Sequence, residues 1–82
     1  MGRHQQALDC LEESLAIRRE LGDVHGQAAS LRELGVTLRA LGRPEEARAH
    51  WRQALALFEQ LQTTDADQVR ALLGEQVTLR QP

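Results

Sequence analysis

The chain has 82 residues, room for one small domain that buries only about 60% of its unfolded surface, which excludes a large catalytic scaffold. Apolar residues make up 41%, but with one Phe, one Trp and no Tyr the core must come from leucine and alanine, which favour helices. Ten basic and twelve acidic side chains give a net charge of -2, with signs mixed along the chain, so nothing here favours nucleic acid or a membrane surface as partner.

Taken in order, residues 4–21 read as a first helix, with Ala7, Leu8, Leu11, Ser14, Leu15, Ile17 and Leu21 as its apolar positions. Gly22 supplies a stop and Asp23 an N-cap for a second helix that starts between Val24 and Gln27. In that helix Ala28, Leu31, Leu34, Gly35, Leu38 and Leu41 recur at steps of three and four and form one stripe. Gly42, Arg43 and Pro44 make a corner: Gly42 suits a left-handed helix end, while Pro44, Glu45 and Glu46 suit a first turn. The third helix carries Ala47, Trp51, Ala54, Leu55, Phe58 and Leu61 on its stripe. So short a link makes the second and third helices antiparallel, with Leu31, Leu34, Leu38, Ala47, Trp51, Ala54 and Phe58 as the expected core. Small residues at Gly35, Ala47 and Ala54 let the two backbones approach.

Beyond Thr63 the pattern thins. Thr64 is the expected cap, Asp65 and Asp67 occupy the first turn, and Val69, Leu72, Leu73 and Leu79 make a sparser stripe interrupted by Gly74. With Gln76 and Arg80 at otherwise apolar positions, residues 65–80 read as a capping helix with a polar outer face. No stretch alternates with period two, so the expected class is all-α, three to four antiparallel helices in one domain.

The chain also repeats itself. Gly2-Arg3 aligns with Gly42-Arg43, Ala7 with Ala47, Leu11 with Trp51, Leu15-Ala16 with Leu55-Ala56 and Leu21 with Leu61, a period of forty.

Leu31, Leu34, Gly35, Leu38, Gly42, Pro44, Ala47, Trp51, Ala54 and Leu57 fall at spacings that resemble the tetratricopeptide repeat (TPR). The pattern's opening aromatic and its Tyr are both Leu here, and Glu59 stands in place of its closing Pro. The forty-residue period exceeds the usual 34 and resembles the longer variety of kinesin light chains and of the arrays that end many actinobacterial regulators. The resemblance implies a helical-hairpin stack in which 4–21 is the second helix of a truncated repeat, 26–61 one full repeat, and 65–80 a cap. It also implies protein binding, as a scaffold or a piece of a bacterial regulatory protein. By the same resemblance the first helix of each repeat lines a concave groove, so Ala29, Arg32, Val36 and Arg39 are the candidate groove residues, suited to an acidic peptide. The family's two-carboxylate clamp needs asparagine where Val36 stands, so that chemistry is not expected. A second helix without its own first helix would leave Ala7, Leu8, Leu11 and Leu15 short of partners, which predicts a two-fold homodimer through this face, with a head-to-tail stack of the fourth helix of one chain on the first helix of the next as the competitor.

Other chemistries are poorly supplied. No pair among His4, Cys10, His25 and His50 has the i, i+3 or i, i+4 spacing a helical metal site needs. Glu12-Glu13 and Glu45-Glu46 are surface or first-turn carboxylates, and no phosphate loop or nucleophile elbow is present, so neither an enzyme nor a cofactor is expected. A helix-turn-helix reader of DNA would need a positive second helix, whereas Glu45, Glu46, Arg48, His50, Arg52 and Gln53 are balanced. The alternatives kept are a self-assembling homo-oligomer and a nucleic-acid-binding helical domain. The single cysteine cannot form an internal disulfide and no apolar run spans a bilayer, so the cytoplasm is the expected compartment.

Overall fold

In the computed structural model the backbone is described for residues 2–78 and the side chains for residues 2–74. Expectations that concern Gln76, Leu79 and Arg80 lie outside the described side chains. Four helices follow one another, α1 (Arg3–Leu21), α2 (Val24–Ala40), α3 (Pro44–Leu61) and α4 (Asp65–Thr78), and the described residues include no strand. Each helix packs on the next, α1 on α2, α2 on α3 and α3 on α4. The result is a flat stack of 45 × 37 × 15 Å.

The corners explain the path. Gly22 (φ 71°), Gly42 (φ 77°) and Gln62 (φ 56°) are all left-handed, spaced by twenty residues. Each is followed by an amide that reaches back to close the preceding helix: Asp23 to the Arg18 carbonyl (2.9 Å), Arg43 to Leu38 (2.9 Å) and Thr63 to Phe58 (3.3 Å). This is the Schellman closure, which satisfies carbonyls otherwise left over at a helix end. Asp23 then caps α2, its carboxylate accepting from the Gly26 amide at 2.8 Å. Pro44 opens α3 at a position where its missing N–H loses nothing.

At the start of α4 the structure differs from the sequence expectation. The hydroxyl at work is that of Thr63, which accepts from the Asp65 amide (3.3 Å) and donates to the Asp65 carboxylate (3.0 Å). Thr63 lies forty residues after Asp23, so the cap recurs with the period.

All seven residues expected in the core, Leu31, Leu34, Leu38, Ala47, Trp51, Ala54 and Phe58, are at most 2% exposed. Trp51 sits directly against Gly35, and its indole N–H donates to the Arg32 carbonyl at 3.1 Å. That bond gives the buried ring nitrogen its partner. A methyl group on Gly35 would overlap the indole, whereas one on Gly74 would meet nothing within 4 Å.

The same substitution at these two glycines therefore has opposite signs. Gly74→Ala should raise stability by about 0.5–1 kcal/mol through helix propensity. Gly35→Ala should lower it by about 1–3 kcal/mol, since overpacking at the indole outweighs the same gain. Urea unfolding followed by far-UV dichroism measures both, and a stabilised Gly35→Ala variant would show that Trp51 does not rest on this backbone.

Candidate protein-binding face

The outer face of α2 is set by helical geometry. Leu31, Leu34, Gly35 and Leu38 turn inward, so Ala29, Arg32, Val36 and Arg39 turn outward together. Ala29 and Arg32 are half-buried, and Val36 and Arg39 are exposed. The two arginines are not equivalent. The Arg32 guanidinium lies 5.9 Å from the Phe58 ring centroid and donates to Gln68 at 3.1 Å, with Glu33 at 3.5 Å and Asp65 at 4.0 Å. It is therefore a tie between α2 and α4. The Arg39 guanidinium lies over the Trp51 ring, 5.3 Å from its centroid, on an aromatic that is itself buried. Sequence reasoning placed both arginines on one face but missed their aromatic supports, which depend on α3 folding back antiparallel.

His25 extends this face toward α4. Its Nε2 lies 3.0 Å from the Asp65 carboxylate, and its ring meets Phe58 edge-on at 5.5 Å. Hydrogen bonds from His25 and Thr63 hold the Asp65 carboxyl below its ordinary value of 3.8. The Gly26 amide, then Arg18, does the same for Asp23. The Arg43 fork lowers Glu46, with bonds of 2.7 and 2.8 Å.

The face expected to self-associate is only partly available. Leu8 and Leu15 are 5% and 7% exposed, because α2 already covers that side of α1. Ala7 and Leu11 are half-buried. The open side of α1 lies next to them, as a cleft of about 450 Å³ lined by Cys10, Glu13, Ser14, Ile17, Arg18 and Leu21, with Ile17 and Leu21 54% and 76% exposed. Helix phase is the reason. Leu8 and Leu15 fall roughly 100° away from Ala7 and Ser14 around the helix, given about 100° per residue. A second cleft of about 300 Å³ runs between α1 and α3 over Leu31, rimmed by Arg19, Gln27, Gln53, Ala56 and Leu57.

Among the described residues no group of three His, Cys, Asp or Glu side chains comes together to hold a metal ion. No described helix is long and apolar enough to cross a membrane.

A stack of antiparallel helices with a forty-residue period, in which α2 turns Arg32 and Arg39 outward, defines a helical-repeat scaffold. A profile of the tetratricopeptide repeat matches residues 1–60, and the chain belongs to that family, whose repeats generally mediate contacts between proteins and form a scaffold, not a catalytic fold. The chain is similar to the regulatory protein AfsR of Streptomyces coelicolor, 43% identical over 67 residues that cover 80% of this chain and 6% of that protein. It is also similar to AfsR of Streptomyces griseus, 37% identical over 68 residues, 83% of this chain and 7% of that one. The chain thus spans less than a tenth of these relatives. No solved structure matches it.

The three lowered carboxyls dictate the acid response. Their folded pKa values lie below the ordinary 3.8 of Asp and 4.5 of Glu, so the stability they confer is present above those values and lost as pH falls through the lower folded ones. Melting temperature should therefore fall below about pH 4, and Asp65→Asn should flatten the decline. An unchanged acid limb in that variant would mean that Asp65 keeps an ordinary pKa.

Proposed function

We propose that this chain is a protein-binding module, part of a bacterial regulatory protein, and that it receives an acidic protein segment or peptide on the outer face of α2, over Ala29, Arg32, Val36 and Arg39. The observation that carries this reading is the pose of Arg39. A guanidinium on an exposed helix face, backed by a buried indole 5.3 Å away, is pre-oriented for a carboxylate and loses little freedom on binding one. Arg32 contributes chiefly by fixing α4 beside the groove, and Val36 offers an apolar contact between the two. The names of the relatives, regulatory proteins from Streptomyces, support a regulatory setting. In this reading the module works in the cytoplasm, without cofactor, metal, nucleic acid or membrane, and catalyses nothing.

A second reading, self-association as a homodimer or larger homo-oligomer, is favoured by the open side of α1, where Ile17 and Leu21 stand exposed.

Peptide binding is tested by titrating the protein with glutamate-containing peptides while following Trp51 emission. A carboxylate on Arg39 should be worth about 1.5–3 kcal/mol, so Arg39→Glu should weaken an acidic peptide by roughly ten- to a hundredfold with helicity unchanged. Equal affinity in the folded variant would remove Arg39 from the site.

A further inference from the structure

The cleft over Leu31 is built from α1, α2 and α3, each packed on the next, and it shares no residue with the outward face of α2. Its floor is apolar: Leu31 is 2% exposed, Leu57 is half-buried, and the short side chain of Ala56 keeps the space open. Its polar groups are Arg19 from the last turn of α1, Gln27 from the start of α2 and Gln53 from α3. Among the described residues none of these three side chains makes an ion pair or a hydrogen bond. A guanidinium and two carboxamides thus offer several N–H donors beside an apolar floor, with no acceptor from the chain upon them.

One period further on, the same positions are in use. Glu59 and Asp67 stand forty residues after Arg19 and Gln27. The Arg70 guanidinium bridges them, with one terminal nitrogen 2.7 Å from Glu59 and the other 2.7 Å from Asp67. Two such positions on successive helices therefore lie close enough to grip one charged group between them. At the α1–α2 junction the charge is reversed, because Arg19 stands where Glu59 stands. Ser30, the counterpart of Arg70, is buried and meets Ser14 with 3.5 Å between the hydroxyls, so it supplies no counter-group. What fits between Arg19 and Gln27 is an anion from outside the chain.

We propose that this cleft binds a small aliphatic carboxylate, with its carboxylate on Arg19 and the Gln27 and Gln53 amides and its hydrocarbon on Leu31, Ala56 and Leu57. One cation beside an apolar floor matches a monocarboxylate, whereas a phosphate or a second carboxylate would meet only leucine and alanine. The volume of about 300 Å³ is at the lower end for ligand clefts, which suits a short branched acid and excludes a helix. A peptide ending in leucine carries the same chemistry at its last residue, and the test separates that source from the free acid.

Isocaproate is titrated to about 20 mM at fixed ionic strength while NMR follows the side-chain amides of Gln27 and Gln53, a range set by the millimolar Kd expected of so small a ligand. Both amides should shift. Isocaproamide, of the same shape without the charge, and acetate, without the hydrocarbon, should each bind at least about tenfold more weakly. Arg19→Gln should weaken isocaproate by about tenfold or more, and Ala56→Leu should exclude it, both with unchanged dichroism. Arg19 is exposed and unpaired, so Arg19→Gln keeps the test intact if Ala56→Leu does not fold. Arg52→Gln, an exposed arginine outside the cleft, should bind as the wild type does. Acetyl-Gly-Leu with a free carboxylate is the second arm: affinity equal to or below that of isocaproate supports the free acid, and clearly tighter binding would overturn it in favour of a chain end. No amide shift over the whole range, or equal shifts with isocaproamide, would overturn the site and leave the peptide-binding reading of α2 untouched.

Discussion

The contact on which the rest depends is that of Trp51 with the backbone of α2 at Gly35. A chain this small, with two aromatic residues of the Phe, Trp and Tyr type, has few large side chains to bury. It gains most by burying the largest where two helices come closest, and the absent side chain at Gly35 makes that approach possible. The bond from the indole to the Arg32 carbonyl fixes the position of the ring along α2. Once the indole is fixed, so is its outer neighbour Arg39, and the outward face of α2 is set by the same residue that holds the interior together.

Phe58 does comparable work one helix later. Its ring is fully buried, yet His25 and Arg32 both approach it, and both also reach Asp65, while Arg32 goes on to Gln68. A hydrophobic side chain of α3 thereby serves as the base on which α2 and α4 exchange polar contacts. None of these contacts is strong alone, since surface ion pairs contribute at most about 1 kcal/mol. Together they orient α4 with respect to α2, two helices whose main packing is on α3 and not on each other.

Much of this was legible in the amino-acid order. The core positions from Leu31 to Phe58 follow from a 3.6-residue period and one glycine–proline corner, because α2 and α3 are both flanked by partners within the chain. The side chains of α1 were harder to assign. A stripe of Ala7, Leu8, Leu11 and Leu15 says that the helix has an apolar side, but not which portion of it the following helix takes. Leu8 and Leu15 proved to be that portion. The cap of α4 is Thr63 and not Thr64, two chemically alike neighbours that only the forty-residue register separates. Arg32 and Arg39 look equivalent in sequence and differ only through what lies beneath and beside them, which is information held by other helices.

The left-handed corners at Gly22, Gly42 and Gln62 bear on how such a gene can change length. Because α1, α2 and α3 end at the same phase, duplication or loss of forty codons carries a first helix, a second helix and both of their corners as one package, and each new junction presents the surfaces of an old one. An insertion of any other size rotates all that follows it and misaligns every subsequent interface. Selection on arrays of this kind therefore acts on the number of units as a discrete trait, while within a unit it is free to revise the outward residues of the first helix one at a time.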